Sequence, residues 1–369
     1  MVVSIRSGRE IVARLPHNHP YHHGIRTCQI SQRDKPFFET KECPDLSPAS
    51  SPRCIPIVAK VGGWVIIAAL ATAGLPGLAL AATLEVGTGK PFPLPSAAAA
   101  VARDGDRIAI SAGSYSDCAV WTADNLTIEG EGADSTVITG TPCDGKALFI
   151  VRGNAIVIRA LALTNAHVGD FNGAGIRAEG GDLTVEHVRF VDDEDGILAG
   201  SLPGRTIIVR DSAFIGNGSC AGRGGCAHGI YVGRIGLLRI ERTRFFETRQ
   251  GHHIKSRAER TEIVGCDIAD GGFGTASFSV DVPNGGAVLV RDTHIQKGPR
   301  SQNHSAAIMI GAEGVSQPTP EIVVEGNVFL VEGSYTSYLV NNVTATEASL
   351  RGNTLQGNAR ALHGDGSVK

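Results

Sequence analysis

A short phrase returns nine times along this chain, and its recurrence constrains the fold more than any other feature. Its anchors are Ile128, Ile158, Val185, Val209, Ile240, Ile263, Val290, Val324 and Leu350. From Ile158 onward an apolar residue answers five places on: Leu163, Phe190, Phe214, Phe245, Ile268, Ile295, Phe329 and Leu355. Steps between anchors run from 23 to 34 residues, the length of one supersecondary unit plus a loop of variable size. Recurrence at such a step marks a solenoid, whose units bury their apolar faces only against one another.

The phrase itself selects the kind of solenoid. In the segments 183–190, 207–214 and 322–329, apolar residues mostly alternate with polar ones, and a polar or small pair interrupts them. Alternation means half-buried strands, and the interruption means a sharp bend between two of them. A third short strand precedes each anchor, beginning near Gly175, Gly196, Gly229 and His253. Three short strands per turn without a helical period predict an all-β, single-stranded parallel β-helix. The 47 glycines suit its many corners, some needing positive φ, and the low aromatic content of 5% suits a bore of stacked aliphatics.

A formal charge of −3 supplies no global attraction to nucleic acid, and no basic stripe with interleaved aromatics occurs. Nucleic acid is therefore not an expected partner. The chain is expected to act as a monomer.

The segment from Lys60 to Ala81 has a basic residue, an apolar core, the breakers Pro76 and Gly77, and the small-residue triplet Ala79, Leu80, Ala81. This is the layout of a secretory signal. The apolar core of about 14 residues is short for a membrane span, so no membrane association is expected after cleavage. Residues 58–81 are read as the signal, and residues 1–57 as a disordered extension or a start assigned too early. His17, His19, His22 and His23 belong to that leader. The mature chain is expected to begin at or near Ala82 in a secreted or periplasmic location. Intact mass and amino-terminal sequencing of exported material check this, and recovery of residues 1–57 on it would contradict it.

Five cysteines lie beyond the leader. Cys220 and Cys226 bracket one Gly-rich loop, and Cys118 and Cys143 are separated by about one turn, so both pairs are candidates for disulfides in an oxidising compartment. Zinc is the alternative for the first pair, without a second paired-ligand motif to complete it. Cys266, inside a strand phrase, reads as a buried free thiol.

Residues 95–103 are Ala-rich, with Ser96 as N-cap and Asp104-Gly105 as the stop. This segment predicts a short helix that plugs the first turn within an amino-terminal cap at 82–116, followed by the solenoid at 117–369. The helix, the Gly105-Asp106 turn, the strand after it and the Gly113-Ser114-Tyr115 step resemble the amino-terminal start of pectin-lyase-like right-handed parallel β-helix proteins. That resemblance spans roughly residues 83–369 and implies a right-handed coil. It says little about chemistry, because the superfamily holds lyases, hydrolases, epimerases and silent binders.

A narrower likeness concerns Gly251 to Arg257 (GHHIKSR) and Gly274 to Phe278 (GTASF). These resemble the region of polysaccharide lyase family 6, the alginate and chondroitin lyases, where a Lys-Ser pair supplies the basic lysine. The resemblance implies Lys255 as general base and an acidic polysaccharide as partner. The stretch from Phe278 to Gly286 carries no arginine where that family has its acid. The paired-Asp and Gly-His-Gly pattern of pectin hydrolases is not seen, so inverting hydrolysis by paired carboxylates has little support.

Stacking the third strands in register predicts an inward column of Ile176, Ile197, Ile230, Ile254, Val280 and Ile310. Three outward columns follow. One holds Gly175, Gly196, Gly229, His253, Ser279 and Met309; the next Arg177, Leu198, Tyr231, Lys255, Asp281 and Gly311; the last ends in Arg257, Pro283 and Glu313.

A β-elimination lyase needs a cation for the substrate carboxylate, a base for the adjacent proton and an acid for the leaving oxygen. Arg257, Lys255 and either Tyr231 or His253 are the candidates, with Asn284 and Arg177 as further substrate contacts. Asp281 beside Lys255 favours the charged lysine and opposes its use as a base, unless Ca²⁺ or a substrate cation engages the carboxylate. A bare surface ion pair, and a noncatalytic structural or surface-attachment protein, are the competing readings. The acidic run Asp192 to Asp195 reads as a solvated corner rather than a Ca²⁺ site, and His228 and His252 as partly buried corner residues.

Overall fold

The computed structural model describes residues 81–369, together with the strands Val2–Arg6 and Glu10–Arg14. Those two strands form an antiparallel hairpin. The rest of the leader and nearly all of the expected signal, whose Ala81 alone is included, lie outside the described residues.

Residues 83–369 build three parallel sheets of 12, 10 and 10 strands, ten rungs contributing one strand to each and the first and last strands extending only the 12-stranded sheet. The repeated phrase supplies two of the three walls. Its anchors pair one on the next from Ile128 through Ile158, Val185, Val209, Ile240, Ile263, Val290 and Val324 to Leu350 in the 12-stranded sheet. The residues five places on pair likewise in one 10-stranded sheet, from Leu163 to Leu355. Nearly all are fully buried, and Phe190, Phe214 and Phe245 stack face to face at 4.5 and 4.7 Å between ring centroids. The bore is thus aliphatic with an aromatic ladder along one wall.

In eight of the nine phrases the bend falls two residues after the anchor and takes a left-handed residue: Ala160, His187, Asp211, Arg242, Gly265, Asp292, Gly326 and Gly352. Only three of these eight are glycine, fewer than the glycine-rich composition suggests. A left-handed L-residue costs roughly 1–2 kcal/mol. Each is held by its own ladder bond, since every one of these N–H groups donates to a carbonyl one rung further on, as in Asp211 to Glu241 at 3.1 Å and Arg242 to Val264 at 3.0 Å.

Three expectations are corrected at the periphery. The helix covers only Pro95–Ala99, and its N-cap is Leu94 rather than Ser96. Pro95 has no N–H to cap and suits the first helical position, while the Ser96 N–H donates to Asp117 Oδ2 at 2.7 Å. The acidic run is not a solvated corner: Asp193, Glu194 and Asp195 are 2%, 4% and 1% exposed. Their carboxylates accept backbone N–H groups of Ala166, Gly173 and His228 at 2.8, 2.6 and 2.7 Å, pinning the loops of neighbouring rungs. The third correction is one of register. Val280 pairs with Ile308, not Ile310, so Met309 rather than Gly311 lies beside Asp281. Ile308 and Ile310 share a face, so alternation alone could not choose between them.

Cys118 is bonded to Cys143 and Cys220 to Cys226. Cys266 is free and buried, and burial pushes its thiol up to about 11.

Candidate functional site

The second 10-stranded sheet carries the third strand of each rung. Its inward column runs Ile176, Ile197, Ile230, Ile254, Val280, and its outward column Arg177, Leu198, Tyr231, Lys255, Asp281. Adjacent strands lie about 4.8 Å apart, so Arg177 and Lys255, three rungs apart, stand roughly 14 Å from each other.

Lys255 Nζ lies 3.0 Å from Asp281 Oδ2 and 2.6 Å from Glu313 Oε1. Arg257 donates from Nε to the Tyr231 hydroxyl at 3.0 Å, from Nη1 to Asn284 Oδ1, and from Nη2 to Glu313 Oε2 at 2.6 Å. Its guanidinium also lies over the Tyr231 ring, 5.8 Å from the centroid. Tyr231, Lys255, Arg257, Asn284 and Asp281 are therefore brought together. Glu313, which the column argument lined up with Arg257 but assigned no role, joins the cations of two columns. Besides that column, its sequence signal is its place in a turn between Gly311 and Gly314.

His253 is not on the outward face. It is fully buried against Phe245, with Nε2 2.9 Å from Asp270 Oδ1 and Nδ1 2.7 Å from the Thr248 hydroxyl. The reason lies in the corner before the strand, where the backbone turns two successive residues inward. The same column shows this on other rungs: a Cβ on Gly196 would meet Phe214 at 2.5 Å. His253 is thus withdrawn as a candidate acid.

His252 takes the outward place instead. Its Nδ1 accepts the Phe278 N–H at 3.1 Å, which leaves the proton on Nε2, 3.5 Å from Asp281 Oδ2. Its ring stacks on His228 at 4.9 Å. Burial, with the charges of Lys255 and Lys297, depresses His252 to about 3, and burial also holds His228 well below the usual histidine range. Both imidazoles are neutral at pH 7. Asp281 is raised, because burial outweighs the attraction of Lys255. Glu313 is lowered: partial burial pushes it up, but the hydrogen bonds and charges of Lys255 and Arg257 win.

Among the described residues, no group of three or more His, Cys, Asp or Glu side chains is arranged to hold a metal ion. The Asp281 carboxylate considered for Ca²⁺ holds the Lys255 ammonium.

A cleft of about 290 Å³ opens beside this cluster, lined by Arg177, Asp195, Leu198 and Tyr231 and walled by the loop at Gly224 to Cys226. Arg177 is a quarter exposed, its Nε has no hydrogen-bond partner, and its nearest carboxylate, Glu179, stands 3.9 Å away. Asp195 on the floor is raised well above its ordinary value by burial, with the His228 N–H and the Arg177 charge opposing.

The chain is similar to the crystal structure of an alginate lyase from Paenibacillus sp. str. FPU-7, with a TM-score of 0.56 at 18% identity over 78% of this chain and 99% of that one. It is a right-handed parallel β-helix. At this identity the likeness concerns the fold alone. Weaker likenesses are to the A-module of the mannuronan C-5 epimerase AlgE4 of Azotobacter vinelandii (TM-score 0.38, 18% identity, 72% of this chain and 91% of that one) and to a pectin methylesterase of Aspergillus niger (0.42, 10%, 78% and 91%). No family model and no curated protein matches the sequence of this β-helix chain.

Proposed function

We propose that this protein binds an acidic polysaccharide along the outer face of the sheet bearing Arg177, Tyr231, Lys255 and Arg257. The observation that carries the reading is Arg177: a quarter-exposed cation that lines the cleft and whose nearest carboxylate, Glu179, stands 3.9 Å away. A carboxylate-bearing sugar in that cleft pairs with the guanidinium, Tyr231 offers an aromatic face beside it, and the column runs along the solenoid axis as a linear polymer would. The names of the solved structures similar in fold, an alginate lyase among them, agree with this substrate class. The two disulfides support an extracytoplasmic site of action.

Titration calorimetry with alginate, polygalacturonate and chondroitin, against a neutral glucan, tests the proposal. At least one charged polymer is expected to bind, more weakly as salt rises, and Arg177→Ala is expected to lower its affinity about tenfold, the worth of one charge-assisted hydrogen bond. Equal binding of the neutral glucan, or unchanged affinity in Arg177→Ala, would sink it.

β-elimination on the same face is a second reading, favoured by one contact, the Arg257 Nε to Tyr231 hydroxyl bond at 3.0 Å. The Tyr231 hydroxyl oxygen accepts there, which leaves its own O–H to donate to a substrate oxygen. Lys255 suits proton transfer less, because its Nζ is already engaged by Asp281 and Glu313 at 3.0 and 2.6 Å. Absorbance of the unsaturated product is the assay, with Tyr231→Phe expected to abolish turnover and retain binding. A flat polymer panel with and without Ca²⁺ would favour a noncatalytic structural or surface-attachment role.

A further inference from the structure

Other carboxylates here also pair with two cations, as Glu179 does with Lys146 and Arg152, but Glu313 is more exposed than both of the cations it joins. Lys255 and Arg257 rise from one strand and are largely covered, at 11% and 21% side-chain exposure, whereas Glu313 is 45% exposed. The cations have further partners that hold them in position: Asp281 for Lys255, and Tyr231 and Asn284 for Arg257. The Arg257 carbonyl is in turn held by Gln317 Nε2. Glu313 arrives from elsewhere, on a turn whose ends, Gly311 at φ +87° and Gly314 at φ +90°, are both left-handed glycines. That turn is closed by the Gly314 N–H to the Gly311 carbonyl at 3.1 Å and tethered by the Glu313 N–H to Pro283 at 3.0 Å. The cations therefore keep their geometry if the carboxylate leaves, while the carboxylate has no other side-chain partner to hold it.

We propose that Lys255 and Arg257 form an anion site for the carboxylate of a uronate residue, and that Glu313 occupies it in the free protein as an internal stand-in that the ligand displaces. One carboxylate oxygen meets Lys255 Nζ and the other Arg257 Nη2, as the two Glu313 oxygens do at 2.6 Å each. The exchange is charge for charge, so the buried Asp281 keeps a compensated partner throughout. The site follows from the geometry alone; its uronate ligand rests on the polysaccharide reading above. Closure by Glu313 lowers apparent affinity by the fraction of molecules in which the site is open.

The experiment uses the full chain, wild type and Glu313→Ala, with two probes. Sodium acetate, compared with sodium chloride at equal ionic strength, is expected to raise the melting temperature of Glu313→Ala and not of wild type. Uronate oligomers from alginate or polygalacturonate are expected to bind Glu313→Ala about tenfold tighter than wild type, the two ion pairs that close the site being of that order. No acetate-specific stabilisation of the variant would overturn the site, and equal or weaker oligomer binding by the variant would overturn displacement. Stabilisation by acetate without uronate binding by either protein would remove the polysaccharide reading and leave the anion site standing. Glu313→Gln, which keeps the shape without the charge, takes the place of Glu313→Ala under the same expectations if the alanine variant does not fold.

Discussion

Ile254→Ala is expected to cost about 2 to 5 kcal/mol of folding stability. Ile254 is fully buried, and its strand is hydrogen-bonded between those of Ile230 and Val280, one rung on either side. The ladders hold the rungs at a set spacing, so the wall cannot close over the lost atoms and the cavity persists. Arg177→Ala, one pleat outward and three rungs away, removes no packed apolar group and is expected to cost about 0.5 kcal/mol or less. Urea unfolding of both variants measures the difference, and similar losses would mean that the inward and outward columns have been exchanged.

Asp270→Ala is expected to cost about 3 to 5 kcal/mol, because it removes the anion from a buried ionic cluster. Asp270 is 1% exposed and accepts from His253 Nε2 at 2.9 Å, the Gly298 N–H at 3.1 Å and the Ser301 hydroxyl. Burial raises its carboxyl, but the His253 hydrogen bond and the charges of His253 and Lys297 outweigh this and lower it overall. Its stabilisation is present above the ordinary carboxylate value of 3.8 and is lost as pH falls through the lower folded value. Lys297, fully buried with Nζ donating to the Ser277 carbonyl at 2.8 Å, is lowered by burial from 10.5 to about 8, and Asp270 opposes that shift. Between those two values the unfolded chain binds more protons, so stability contributed by this residue rises with pH. In Asp270→Asn the opposing charge is gone, and the rise is expected to begin at a lower pH. Denaturant midpoints measured from about pH 6 to 10 test the sign; a wild-type curve falling through that window on account of Lys297 would refute it.

Legibility in the sequence followed the length scale of each signal. Column membership was readable because inward residues recur on every rung, and nine anchors average out any one irregular step. The outward order Arg177, Leu198, Tyr231, Lys255, Asp281 followed from it by alternation, and so did the contact between Lys255 and Asp281. His253 was misread because alternation holds within a strand and fails at the corner before it. The acidic run was misread because its place between Phe190 and Ile197 marks a corner, and a corner was taken as exposed. Buried turns here leave backbone N–H groups without ladder partners, and Asp193, Glu194 and Asp195 satisfy them.

By itself, then, the sequence determined the solenoid, its three strands per rung and most of the residues that fill its bore, since each depends on a local period, and it offered the two cysteine pairs as candidates. Only the tertiary structure decided which of Ile308 and Ile310 meets Val280, which histidine faces outward, and that Glu313 closes on Lys255 and Arg257. Those outcomes depend on the path of variable loops and corners. Glu313 lies 58 residues beyond Lys255 along the chain and 2.6 Å from it in space, a contact set by two further rungs of the coil and legible in no local pattern.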